Sequence, residues 1–145
     1  VKRLIHYMAK EELFKNPILA YILPKIGAFP VKRGKGDIDS IRKALKILKD
    51  GKILGILPEG TRTGFNNSRK VKPKAGVALI AIKANVPIIP AAISGDYSKP
   101  FSRVKVKFGA PFYVNSKQDK KNTKEELENI SGNIMERVYS LLEEE

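Results

Sequence analysis

Two short runs, KILGIL (52–57) and VPIIPAAI (86–93), are apolar at nearly every position. A strand that is apolar on both faces needs cover on both faces, which points to a sheet between layers of helices rather than a sheet with a wetted side. Between them, AGVALIAIKAN (75–85) is apolar all round and reads as a buried helix ended by Asn85. Upstream, RLIHYMA (3–9) and AFPV (28–31) read as strands, and KEELFKNPILAYILPKIG (10–27) as helical material interrupted by Pro17 and Pro24 and ended by Gly27. Asp37 or Asp39 can cap a helix carrying Ile38, Ile41, Leu45 and Leu48, with Gly51 as its stop. RVKVKFG (103–109) alternates basic and apolar residues, as suits a strand with one solvated, positive face. Thr123 and Glu126 form a capping box ahead of Leu127, Ile130, Ile134, Val138 and Leu141.

Strands therefore alternate with helices along the chain. The expected fold class is α/β, a mixed, mostly parallel sheet flanked by helices, in one domain covering residues 1–145. In open sheets of this class, ligands sit beyond the carboxyl ends of the strands. Two expected strand ends carry charge: Val31 runs into Lys32-Arg33, and Leu57 runs into Glu59 and Arg62.

Composition narrows the chemistry. The chain has 28 Lys+Arg against 15 Asp+Glu, a formal net charge of +13. Such an excess favours anionic partners: nucleic acid, an anionic membrane surface or phosphorylated small molecules; a generally lysine-rich surface is the plainer account. With no cysteine, disulfides, thiolate metal sites and cysteine nucleophiles are excluded, and a single histidine, His6, excludes a His-rich metal site. Nucleic acid fits poorly. No helix carries an arginine stripe, and Phe108 is the only aromatic residue of 103–109, where stacking strands interleave several.

In FPVKRGKGD (29–37), two cations and two glycines, Gly34 and Gly36, let backbone and guanidinium approach a phosphate closely. In LPEGTRT (57–63), Pro58 stops ladder pairing and Gly60 permits an unusual turn from which Glu59 and Arg62 project. An exposed ion pair contributes little stability, so stability alone is a weak reason for these charges at a strand end. If the two strands are neighbours, Arg33 and Arg62 can clamp a phosphate while Glu59 orients them or accepts a hydroxyl.

In order along the chain, HYMAKEELFKNP (6–17), GAFPVKR (27–33), PEGTRT (58–63) and VPIIPAAI (86–93) resemble the motif segments of the phospholipid/glycerol acyltransferase family, whose type is 1-acylglycerol-3-phosphate O-acyltransferase. The resemblance implies transfer of a fatty acyl group from acyl-CoA or acyl-acyl carrier protein to a hydroxyl of glycerol-3-phosphate or its 1-acyl form. It implies no cofactor beyond that thioester co-substrate. The partners it implies are a glycerol-phosphate lipid acceptor, the acyl donor and an anionic membrane surface, with a cytoplasmic location, peripheral to or anchored at the inner face of the cell membrane. By the same resemblance Arg33 contacts the acceptor phosphate, Glu59, Gly60, Thr61 and Arg62 line the acceptor site, and Pro87 and Pro90 shape the pocket or the acyl channel.

The family's catalytic signature, N-H-x4-D, in which the histidine is general base and the aspartate orients it, does not occur in this sequence. His6 and Glu11 stand at H-x4-E spacing, but His6 lies in a short apolar strand within the segment that follows the signature in family members, and reads as structural. Carboxylates, with ordinary pKa values near ~4, are poor general bases. No catalytic residue is therefore assigned. The chain, which starts at Val1, reads as the C-terminal portion of an acyltransferase that lacks the signature segment, inactive by itself. The alternatives are a phosphate- or anionic-lipid-binding module without chemistry and a basic nucleic-acid-binding domain.

Overall fold

The structure, a computed structural model, describes residues 3–32, 37–58, 73–95, 103–114 and 122–143. They group into two compact units, Val1–Leu57 and Pro58–Glu145.

The first unit is built on a three-stranded parallel sheet in the order β2-β1-β3. Its strands are β1 (Ile5–Lys10), β2 (Ala28–Val31) and β3 (Ile53–Gly55). β1 is central, pairing Tyr7 with Ala28 and Lys10 with Val31 on one side and Ile5 with Ile53 and Tyr7 with Gly55 on the other. Parallel neighbours need crossovers, and two helices supply them. A 3₁₀ turn (Glu11–Lys15) leads into α1 (Pro17–Lys25), where Asn16 caps the first turn by accepting from the Ile18 and Leu19 amides at 2.9 and 3.2 Å. Pro17 therefore opens α1 rather than interrupting it, because a first-turn residue has no intrahelical partner for its N–H to lose. Gly27, at φ +85°, turns the chain into β2, and its carbonyl accepts from the Tyr7 amide at 3.1 Å.

The second crossover is α2 (Ile38–Lys49), which buries Ser40, Ala44 and Ile47. The expected stripe of Ile38, Ile41, Leu45 and Leu48 is displaced from the centre of that face. Ser40, Ala44 and Ile47 occupy the centre, Ile41, Leu45 and Leu48 flank it half-buried, and Ile38 is exposed. β3 is shorter and more open than the buried 52–57 strand expected: its residues are half-buried and Leu57 is 76% exposed. Gly55 shows why the strand stays thin there. A Cβ at that position would lie 2.4 Å from the Tyr7 ring, which crosses β3 at the glycine.

The second unit contains α3 (Gly76–Ala84), the antiparallel pair β4 (Ala91–Ser94) and β5 (Lys105–Phe108), and α4 (Lys124–Glu143). α3 ends as the sequence indicates, on Asn85 in the left-handed region. Its Ala78, Ile80, Ala81 and Ile82 form the core with Ala92 of β4 and Ile134 and Met135 of α4. The capping box is present: the Thr123 amide donates to Glu126 Oε2 at 2.7 Å, and the Glu126 amide to Thr123 Oγ1 at 3.2 Å.

Two expectations for this unit are corrected. VPIIPAAI is no continuous strand. Pro87 and Pro90 cannot donate to a ladder, so Ile88 makes an isolated bridge with Phe112 and regular pairing begins only at Ala91. In β5 the apolar residues are not the covered ones: Val106 and Phe108 are 49% and 60% exposed, Lys105 is exposed as well, and Lys107, paired with the buried Ala92, is half-buried.

Candidate functional site

The three parallel strands end on one edge, at Lys10, Val31 and Gly55. It is the edge at which open α/β sheets place ligands. β2 delivers the chain into the basic 32–36 segment, and β3 runs on towards PEGTR at 58–62. They are not neighbours, as the sequence argument required, because β1 lies between them. At about 4.8 Å per strand, β2 and β3 stand roughly 9.6 Å apart. The sequence-derived site residues Arg33, Glu59, Gly60, Thr61 and Arg62 lie outside the described residues.

The structure shows what holds the flanks of those motifs. Asp37 is the N-cap of α2, and its carboxylate also reaches back across the basic segment. Oδ1 accepts from the Ser40 amide at 3.1 Å, and Oδ2 accepts from the Lys32 amide at 2.8 Å and from the Ser40 hydroxyl. Residue 32, at the end of β2, is thus tied to the start of α2. Sequence reasoning offered Asp37 only as one of two caps; the D-x-x-S spacing to Ser40 was the available signal, and nothing local announced the bond to Lys32. These donors, the Ser40 hydroxyl first and then the two amides, lower the Asp37 carboxyl from 3.8 to about 2.

A folded-state value below the unfolded one means that Asp37 contributes its full stabilisation above 3.8 and loses it as pH falls towards about 2. Asp37→Asn keeps a capping oxygen but carries no titratable proton. Thermal melts between about pH 6 and pH 2 are expected to show a steeper acid loss of Tm in the wild type than in Asp37→Asn; parallel profiles would contradict this role.

A second closure borders the PEGTR segment. The Lys74 amide donates to the Pro58 carbonyl at 3.2 Å, so residues 58 and 74 meet at the base of the intervening chain. The Lys74 carbonyl accepts in turn from the hydroxyl of Ser131, a fully buried residue of α4, at 3.1 Å. A serine buried in the middle of a helix is explained by this one bond. The fourth motif lies on the same unit: Pro90 is buried, and a Cβ on Gly109 would come within 2.8 Å of its ring.

His6 sits near the start of β1, opposite Leu54, and its Nδ1 is buried with no hydrogen-bond partner among the described residues. It lines a cavity of about 300 Å³ with Phe29, Lys43, Ile47 and Lys52. Lys43 Nζ stands 5.1 Å from the Phe29 ring centre, and Lys46 pairs with Asp50 at 3.3 Å. This is the amino edge of the sheet. Along an extended strand, the four steps from His6 to Lys10 span roughly 13 Å, so His6 and Glu11 form no pair. Among the described residues, no group of three or more His, Cys, Asp or Glu is arranged to hold a metal. No described helix is long and apolar enough to cross a membrane.

Residues 1–94 match the family model described as Acyltransferase, and that span contains all four ordered motifs. The chain belongs to the acyltransferase family. Within the family it is 47% identical over 94 residues to a Bacillus subtilis (strain 168) protein named 1-acyl-sn-glycerol-3-phosphate acyltransferase, covering 65% of this chain and 45% of that one. It is 32% identical over 143 residues to the Streptococcus pneumoniae (strain ATCC BAA-255 / R6) protein of the same name, covering 95% and 51%. The chain spans about half the length of these acyltransferases. The crystal structure of the 1-acyl-sn-glycerophosphate (LPA) acyltransferase from Thermotoga maritima shares the fold, with a TM-score of 0.63 and 23% identity over 97% of this chain and 57% of that one.

Proposed function

We propose that the protein carrying this chain transfers a fatty acyl group from a thioester donor, acyl-CoA or acyl-acyl carrier protein, to the free hydroxyl of 1-acylglycerol-3-phosphate. The observation that carries this is the ordered motif series inside the family match, in a chain whose relatives are named for that reaction. The acceptor oxygen attacks the thioester carbonyl carbon, the thiol leaves, and the hydroxyl proton passes through a base to the departing sulfur.

In this reading Arg33 and Arg62 hold the acceptor phosphate, since a guanidinium matches two phosphate oxygens at once. Glu59 orients the arginines or the acceptor, and Gly60 and Thr61 line the same site. The base of the family's N-H-x4-D signature has no counterpart among the 145 residues, so the chain contributes acceptor binding rather than proton transfer. No cofactor is required beyond the thioester. The surplus of positive charge suits anionic lipid headgroups and a carrier protein or CoA phosphates, which supports a peripheral or anchored position at the cytoplasmic membrane face. A second reading is a phosphate-lipid-binding module without chemistry, which the basic, glycine-bearing 29–37 segment also suits.

The test supplies each donor with 1-acylglycerol-3-phosphate or glycerol-3-phosphate and follows the product. Phosphatidic acid formation from the 1-acyl acceptor is expected. Saturable binding of that acceptor without turnover, for every donor, selects the binding module and defeats the enzyme.

A further inference from the structure

α1 is built inside out for a surface helix. Its spacing sets Ile18, Ile22 and Ile26 in one row, flanked by Leu19 and Tyr21. All five are exposed, Ile18 and Tyr21 at 68% each, and no residue of the helix is buried. Surface helices ordinarily turn the apolar row inward and the charges out. The 3₁₀ turn before it adds exposed Leu13 to the same apolar stretch.

The 3₁₀ turn opens on two exposed carboxylates, Glu11 and Glu12, and beyond them the charges along the sequence share one sign. From Leu13 to Gly36 the sequence has no carboxylate, while Lys15, Lys25, Lys32, Arg33 and Lys35 are cationic. Lys25 Nζ lies 3.6 Å from the centre of the exposed Tyr21 ring, so an aromatic ring and an ammonium group sit together on the outer face. Lysine is depleted in the cores of protein interfaces. At a bilayer surface, by contrast, lysine stems lie along the acyl boundary while their heads meet anionic headgroups, and tyrosine favours that same depth.

We infer that α1, with Leu13 and Lys15 at the end of the 3₁₀ turn, forms the face by which this chain lies in the surface of an anionic lipid bilayer, with Ile18, Tyr21, Ile22 and Ile26 inserted and Lys15 and Lys25 at the headgroups. The inference rests on the proposed use of a membrane lipid as acceptor, and names the element that meets the membrane. The placement fits that use: the 3₁₀ turn leaves the carboxyl end of β1, the edge from which β2 delivers its basic segment.

The chain contains no tryptophan, so Tyr21→Trp gives a single fluorescent reporter. Because Tyr21, Lys15 and Lys25 lie outside the core, the variants are expected to keep the wild-type circular dichroism. With phosphatidylglycerol-rich vesicles, the emission of the Tyr21→Trp protein should shift to the blue and be quenched by brominated acyl chains. Lys15→Glu with Lys25→Glu should weaken vesicle binding by about tenfold or more. Co-sedimentation with an unshifted α1 reporter overturns the assignment to α1 but leaves a membrane location standing. An α1 reporter already blue-shifted and shielded without lipid shows a protein-covered helix, and overturns it too. Absence of vesicle binding overturns the inference; absence of acyl transfer, in the separate assay above, defeats the enzymatic reading.

Discussion

Gly27→Val is expected to destabilise the first unit more than any surface change in it, lowering Tm by about 10 °C or more. Gly27 holds φ +85°, a conformation a β-branched residue resists. A Cβ there would also stand 2.7 Å from the Ile5 carbonyl oxygen, on the backbone of the central strand. That oxygen cannot swing away without disturbing the β1 ladder to both neighbours. Backbone strain of this kind costs about 1–3 kcal/mol, and the clash adds to it, against a total stability of about 5–15 kcal/mol. Gly51 provides the contrast: it holds φ +70° but a Cβ there would meet nothing within 4 Å, so Gly51→Asn, which tolerates the left-handed region, should melt close to wild type. The comparison is made by thermal melts of both variants. Equal losses would show that positive φ alone, and not the contact with β1, sets the cost. A Gly27→Val melt close to wild type would contradict the account altogether.

Arg62→Ala and Arg33→Ala are expected to lower kcat/KM for 1-acylglycerol-3-phosphate by about a hundredfold each, mainly through KM. A charge-assisted pair lost from a desolvated phosphate costs about 2–5 kcal/mol, since the phosphate is left without its partner. Arg→Lys should recover only part, because an ammonium presents a point charge where the guanidinium presents a fork. Steady-state kinetics on the active protein read this directly, with circular dichroism confirming the fold. Unchanged KM in both arginine variants removes them from the acceptor site.

What the sequence made legible was local. Asn85 as a helix stop, the Thr123–Glu126 box and the bounds of AFPV each depend on a few neighbouring residues, and each appears in the structure. What it hid depends on partners far along the chain. Nothing near residues 28–31 or 53–55 shows that β1 separates their strands. The apolar look of VPIIPAAI concealed that two prolines withhold ladder donors. The alternation in β5 gave two faces but could not say that its apolar residues stay exposed while Lys107, opposite the buried Ala92, is half-buried. Ser131 reads as an indifferent helix residue until its bond to the Lys74 carbonyl is seen, 57 positions away. For the candidate site, the motifs were legible as sequence, and the structure adds how their flanks are tied by Asp37, Lys74 and Ser131.

The central claim is that this chain supplies the acceptor-phosphate side of an acyltransferase site. Its most direct test is the ratio of kcat/KM for 1-acylglycerol-3-phosphate to that for the matching 1-acylglycerol, which lacks only the phosphate, in wild type and in Arg62→Ala. A strong wild-type preference for the phosphorylated acceptor that collapses in the variant is the predicted result. A preference that survives unchanged, or that was never present, would contradict it.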